Sequence, residues 1–381
     1  MTRREFIGTT AATTVGFRLQ TEQESDFQSL FDGRSLAGWV ISDGPESAFY
    51  VENGEIVSSP SSGYPAWLRS TAEYENFDFR CEFFIAGWMD GGVHFHAPLH
   101  GRKTWVGKQV KIFHQLEDEP KSNSMGAIFP VVAPRKVVVK NKKEWNSLRI
   151  LSDWPRLAVW VNGEQIHDLD CSREPALADR FRSGYFGLSG LSYPLRFRNL
   201  RVRTLPGQER WENLYSSISD FDRWFVSEST KHAPAQFRPL GSVIRAEGAG
   251  HLATRKQYRD FELQLYVRGT REHNGGILIR SEGKGLSGSR YYEIQLHNVE
   301  DAHYPTGSLY HHKRAIYPRI SDDEWFPMQI RVKGPHLLVR VNGDTVLEYD
   351  QLENLEAGHI ELQAHQPGSW LEFKGIRIKE L

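Results

Sequence analysis

The chain has 381 residues, 47 of them basic and 48 acidic, for a formal net charge of −1. That length exceeds what one hydrophobic core usually supports and predicts two domains. The balanced charge, with no polybasic tract, argues against nucleic acid or an anionic membrane as the main partner.

Aromatic residues make up 12% of the chain, including 11 tryptophans. Such richness suits all-β folds, whose strands favour aromatics. It also suits sugar-handling surfaces, because an aromatic face stacks on the apolar C–H face of a pyranose. Taken in order, the chain opens with Thr2-Arg-Arg-Glu-Phe-Ile-Gly8 and a small-residue apolar run to Phe17. The paired arginines, one variable residue, then Phe and an aliphatic resemble a twin-arginine export signal. Residues 1–24 therefore read as a leader that sends the protein, already folded, to the periplasm or another exported location. The run is too short and too polar to be a permanent anchor, and no integral membrane span is expected elsewhere.

The remainder contains one unit twice. A first copy over 25–206 and a second over 207–381 align at a shift of about 180 residues, far beyond solenoid periods. Leu30-Phe-Asp-Gly-Arg-Ser-Leu-Ala-Gly-Trp39 answers Leu214 to Trp224, and Tyr74-Glu-Asn-Phe-Asp-Phe79 answers Tyr258-Arg-Asp-Phe-Glu-Leu263. Gly91-Gly-Val-His-Phe-His96 answers Gly275-Gly-Ile-Leu-Ile-Arg280, and Gln109-Val-Lys-Ile-Phe-His114 answers Glu293-Ile-Gln-Leu-His-Asn298. The closing strands match too, Leu195-Arg-Phe-Arg-Asn-Leu-Arg-Val202 with Leu371-Glu-Phe-Lys-Gly-Ile-Arg-Ile378. The boundary falls near Pro206-Gly207.

Within each copy the segments are short, alternating and rich in Val, Ile, Phe, Trp and Tyr, separated by Gly, Asn, Asp and Pro clusters. Val-Asn-Gly at 161–163 and 341–343 predicts Asn-Gly hairpins. One short helix is expected within 174–182, with Pro175 in its first turn. The fold class is all-β, two tandem concanavalin-like jelly-roll sandwiches. Cys81 alternates with Phe77, Phe79 and Phe83 and reads as a core thiol, while Cys171 follows a strand end in a polar segment. A Cys81–Cys171 disulfide is open in an oxidising compartment.

Strand parity makes 274–297 the richest candidate site. Ile277 and Ile279 share one face and Leu278 and Arg280 the other; Ile294 and Leu296 oppose Glu293, Gln295 and His297. One face would be apolar, and the other would carry a cation, a carboxylate, an amide and an imidazole. Wet faces of antiparallel sheets are also polar by default. In the first copy His94 and His96 have the i, i+2 spacing that can chelate a divalent metal, with Gln109 and Lys111 on the same face. Sugar hydrogen bonding or simple exposure are the other readings of that pair. Trp145 and Trp325, each after a Glu at a strand start, read as structural.

Phe31-Asp-Gly-Arg-Ser-Leu-Ala-Gly-Trp39, Asn274-Gly-Gly-Ile-Leu-Ile-Arg280, Tyr292-Glu-Ile-Gln295, Gly307-Ser-Leu-Tyr310, Glu144-Trp-Asn146 and Glu372-Phe-Lys-Gly-Ile-Arg-Ile378 together resemble the 3-keto-disaccharide hydrolase domain family. The resemblance implies a sandwich whose concave sheet binds carbohydrate, and cleavage of glycosides already oxidised to a ketone at C3. It implies a site in the second copy, with Glu293 or His297 as base and Arg280 as the cation for the enolate. Asn274, Gln295, Tyr310, His311 and His365 would contact sugar. In the first copy Asp90, His96, Gln109 and Lys111 replace the signature Asn, Arg, Glu and Gln, so that copy is altered in specificity or serves binding through His94, His96, Gln109 and Lys111. A non-catalytic, lectin-like carbohydrate-binding protein is the alternative to the enzyme.

Overall fold

The computed structural model describes residues 24–61, 66–114, 119–140, 143–286 and 290–381. The leader expected over 1–24 lies, save Glu24, outside the described residues. Two β-sandwiches follow one another, each an eight-stranded sheet packed on a five-stranded one.

In the first unit the small sheet runs Trp39–Asp43, Ala66–Tyr74, Gly184–Gly190, Asp90–Ala97, Lys108–Phe113. In the second it runs Trp224–Ser229, Gly250–Thr254, His359–Ala364, Gly275–Ser281, Tyr292–Leu296. All neighbours are antiparallel, and the order of strands is the same in both. Alternation explains the layering: the inward members of each strand meet between the sheets and the outward members cover the small sheet's concave face. Phe77, Phe79, Cys81, Phe83, Phe186 and Phe197 fill the first core. Ile277, Ile279, Ile294, Leu296, Phe261, Phe326 and Phe373 fill the second, as parity predicts for the isoleucines and Leu296.

The repeat extends to single hydrogen bonds. Trp39 Nε1 donates to Leu30 O at 2.6 Å, and Trp224 Nε1 donates to Leu214 O at 3.0 Å. The Asn162-Gly163 and Asn342-Gly343 turns both have two successive positive φ angles, which closes two-residue hairpins. A third such turn, Asn53-Gly54, joins Phe49–Glu52 to Glu55–Ser58. The helix expected within 174–182 is the four-residue turn Pro175–Ala178. Cys81 and Cys171 are both buried free thiols, so the disulfide is not formed. Cys171 sits on the edge of the first core rather than in a solvated segment. Trp145 packs under the Arg198 guanidinium at 3.9 Å, and Trp325 lies between Lys374 and His100 at the domain boundary.

The first unit docks on the outward face of the second unit's large sheet. Leu99 N–H donates to the Tyr266 hydroxyl at 2.8 Å, Arg102 N–H to Asn342 Oδ1 at 2.7 Å, and Arg377 Nη1 to Glu73 Oε2 at 3.1 Å. Arg331 and Arg340 both reach Asp179. The second unit's concave sheet is its other layer, so it faces away from the first unit.

One backbone feature corrects the parity reading. Arg280 has φ +49° and His96 has φ +51°, at a bulge in the pairing of the same strand in each unit. A bulge turns the strand, and side chains beyond it leave the face they would otherwise share. Arg280 therefore points off the concave face and is buried. Its guanidinium donates to Arg259 O (3.2 Å), Asn354 O (2.9 Å), Gly334 O (2.9 Å) and Asp260 Oδ1 (3.1 Å). His96 does the equivalent work, with Nε2 at 2.7 Å from Glu75 O, the counterpart of Arg259. Arg280 thus latches three loops of the second sandwich, and it does not stand beside Glu293. Arg280→Ala would leave buried carbonyls without donors, and is expected to destabilise the second domain by about 3 kcal/mol in urea unfolding. Arg280→Lys should recover only part, because one ammonium cannot serve four acceptors. A loss under about 1 kcal/mol for the alanine variant would contradict the latch.

Candidate active site

Two rows of side chains cross the second domain's concave sheet. Register places Glu228, His251, Gln363, Gly276 and Gln295 side by side in one. Phe225, Ala253, Glu361, Leu278 and Glu293 form the other. Of the catalytic residues expected from sequence, Glu293 lies on this face and Arg280 does not. His297 follows the strand end, half-buried, where its N–H donates to Thr306 Oγ1 at 2.8 Å. Burial lowers the His297 pKa, and its charged neighbours are Glu272 and Asp301 rather than Glu293.

Glu293 is the most perturbed carboxyl on the face. Burial pushes its pKa up to about 7, against a stabilising hydrogen bond from Gln363. Gly276 makes room for it: a Cβ there would fall 2.8 Å from both Cγ and Oε1 of Glu293. Gln295 Nε2 donates to Asn274 Oδ1 at 2.7 Å, which orients the Asn274 amide, and Gln295 Oε1 is buried without a hydrogen-bond partner. Tyr310 lies at the rim, its N–H donating to Glu293 O at 2.9 Å, with the exposed His311 ring 4.1 Å from its own. Burial raises the Tyr291 pKa, and the nearby charges of Glu293, Tyr310 and Glu228 raise it further. His365 is exposed at the opposite end, close enough for its charge to oppose protonation of His251.

Sequence reasoning missed the other half of the face. His251 stands between two carboxylates, Nε2 3.6 Å from Glu228 Oε2 and Nδ1 3.6 Å from Glu361 Oε2. Glu361 is fully buried and accepts from the Ser227 hydroxyl at 2.6 Å and from the Ser281 hydroxyl. Leu286 N–H anchors Glu228 at 2.6 Å. A signal for this half was available. Ile360-Glu-Leu-Gln363 alternates acid and amide with core aliphatics as Glu293-Ile-Gln-Leu296 does.

The first domain keeps the frame and changes its contents. Asp43, Trp67, Ser189, Gly92 and Lys111 form its first row, and Val40, Arg69, Gly187, His94 and Gln109 the second. Gln109 thus replaces Glu293, Gly187 replaces Glu361, and Trp67 replaces His251. His94 Nε2 is 2.9 Å from Ser189 Oγ, while the bulge carries His96 away, so the two histidines do not form the chelating pair that i, i+2 spacing suggests. Among the described residues no group of three or more His, Cys, Asp or Glu side chains is arranged to hold a metal.

A family model for 3-keto-α-glucoside-1,2-lyase-like domains matches residues 26–203 and again 211–379. The chain belongs to this family, with two tandem copies. No curated protein matches it. Among solved structures, a candidate glycosyl hydrolase from Parabacteroides distasonis is 19% identical, with a TM-score of 0.42 over 49% of this chain and 99% of that one. The carbohydrate-binding module CBM66 from Bacillus subtilis is 15% identical, with a TM-score of 0.33 over 44% and 96%. As a member of the lyase-like family, the chain carries a carbohydrate-active domain in each unit.

The raised Glu293 pKa has a consequence for stability. An acid whose folded pKa lies above its unfolded value holds an extra proton in the folded state between the two. Stability then falls as pH rises from about 4.5 to about 7, by roughly 3 kcal/mol in total. Glu293→Gln cannot ionise. Its unfolding free energy relative to wild type is therefore expected to increase across that window, and parallel profiles would exclude a shifted carboxyl.

Proposed function

We propose that the second domain cleaves 3-keto-glycosides by elimination and hydration, with Glu293 as the base, in a protein exported through its twin-arginine-type leader. One observation carries the reading: a buried carboxyl, pushed to about 7 and seated over Gly276, on a face that also carries amides, a phenol and an imidazole held between Glu228 and Glu361. A ketone at C3 acidifies the C2 proton, so no paired glycosidase carboxylates are required at the anomeric carbon. Glu293 takes the C2 proton. The electron pair forms the C1–C2 double bond as the C1–O bond breaks, and Tyr291, protonated because burial raises its pKa, gives its proton to the departing oxygen. The Asn274 amide, fixed by Gln295, is the donor for the C3 oxygen as it gains charge. Water then adds at C1, losing a proton to the Tyr291 phenolate, and Glu293, its proton exchanged with solvent once the aglycone has left, protonates C2. Gln363 and His251 bind ring hydroxyls, and Tyr310, His311 and His365 border the substrate. Arg280 and His297 have no step in this scheme, because the Arg280 guanidinium is engaged by loop carbonyls and Asp260, and His297 lies past the strand end near Glu272 and Asp301 rather than Glu293.

The direct test offers the full-length protein a 3-keto-disaccharide and its unoxidised parent. Turnover of the oxidised sugar alone is expected, with deuterium incorporated at C2 when the reaction runs in D2O. Glu293→Gln should lower kcat by about 10²–10⁴-fold, the usual worth of a positioned base. The wild-type acid limb should turn near pH 7, since only ionised Glu293 accepts a proton. Unchanged turnover in Glu293→Gln, or cleavage without C2 exchange, would sink the scheme.

A further inference from the structure

We propose that the rim beside Glu293 is a leaving-group subsite for an aromatic aglycone, with Tyr310 and Tyr304 as its wall and Tyr304 as the specificity-determining residue. The inference rests on the elimination reading of the same domain and names the class of glycoside it takes, an aryl or arylmethyl one. It starts from the chain beyond the sheet edge. Leu309 pairs with Ile294, and both belong to the core. Alternation then sets Tyr310 opposite Glu293 on the concave side, where its N–H donates to Glu293 O at 2.9 Å. Gln363 and His251, assigned to ring hydroxyls, lie on the inner strands, on the other side of Glu293. Tyr291 precedes Glu293 by two residues, and Tyr310 is near enough to help raise its pKa. The oxygen that Tyr291 protonates therefore departs toward Tyr310.

What lies past Tyr310 is aromatic. Tyr304 meets the Tyr310 ring edge-on at a centroid distance of 5.1 Å, and His311 lies 6.2 Å from Tyr304. Both tyrosines are half-buried and His311 is exposed, so the rings keep surface for a guest. The loop that carries them is already tied down. Thr306 N–H donates to His297 O at 3.0 Å, Thr306 Oγ1 to Asn298 Oδ1 at 2.6 Å, and Arg314 Nη2 to Glu300 O at 2.7 Å. Such a wall loses little conformational freedom when a ring packs on it. The acid fits as well. A phenol kept protonated by burial is a weak acid, and a departing phenolate needs less proton transfer than a sugar alkoxide. The first domain does not repeat the wall. A cavity of about 570 Å³ lies over its concave sheet, but Phe129, the counterpart of Tyr310, already holds the Lys111 ammonium 4.4 Å from its ring centre.

The test compares benzyl, cyclohexylmethyl and methyl 3-keto-glucosides of one anomeric configuration as substrates of the full-length protein. The first two release alcohols of similar size and acidity, so the contrast between them is the aromatic ring. The benzyl substrate should be favoured over the cyclohexylmethyl one by about three- to tenfold in kcat/KM, the usual worth of an aromatic pair. Tyr304→Ala should lower the benzyl-to-methyl ratio of kcat/KM by about fivefold, through KM, and Tyr304→Phe should keep it. If melting curves show that Tyr304→Ala is not folded, Tyr304→Leu decides. Equal kcat/KM for the benzyl and cyclohexylmethyl substrates, or an unchanged ratio in the folded variant, would overturn the subsite. Calorimetric titration of the same glycosides into Glu293→Gln reads the preference without turnover. Ring-selective binding there, with no cleavage by wild type, would count against the elimination scheme alone, and absence of both binding and cleavage would overturn both.

Discussion

The second sandwich depends on the left-handed turn of the backbone at Arg280. That single bulge directs a guanidinium away from the concave sheet and into a cage of three carbonyls and Asp260, which closes one end of the domain. The same turn leaves Glu293 without a cation beside it. Had the strand continued regularly, a fixed positive charge two residues from Leu278 would have favoured the carboxylate and held its pKa low. Burial instead acts almost unopposed, and the carboxyl rises to about 7. Architecture and acid–base character are therefore set by one pair of dihedral angles.

The two concave faces show how the same frame takes different contents. The strand order, the bulge and the glycine at 92 or 276 are common to both. What differs is a few outward positions: Glu293 against Gln109, Glu361 against Gly187, His251 against Trp67. Outward residues on a concave sheet carry little of the folding energy, since the core aliphatics beneath them supply the burial. They are free to vary as a group, and in the first domain every titrating acid or imidazole at those three places has been exchanged for a group that does not titrate.

Much of this was legible in the sequence, and the failures have a common cause. The internal repeat, the Asn-Gly turns and the alternation of Ile277, Ile279, Ile294 and Leu296 follow from local pattern and hold in the structure. Parity also places Glu293, Gln295 and Gln109 with Lys111 on their faces. It fails at Arg280 and His96, because a bulge adds a residue that no alternation rule registers. The contacts of Arg280 are those of a fastener. Glu228, His251 and Glu361 lay on strands distant in sequence from Glu293, and only the sheet order brings them together. The Ile-Glu-Leu-Gln run at 360–363 carried the same alternation, but without its neighbours it reads as an ordinary half-buried strand.

The loop that holds Gly101, Arg102 and Trp105 has two duties. It walls the first domain's cavity, and it grips the Asn342-Gly343 turn through the bond from Arg102 N–H and the packing of Trp105 on Gly343. A guest in the cavity and the docking of the two sandwiches thus share one structural joint. Whatever free energy occupancy contributes to that joint, docking must return to occupancy in equal measure. The spacing between the halves is in this sense a thermodynamic partner of the cavity, and separating the halves would alter a wall that neither possesses alone.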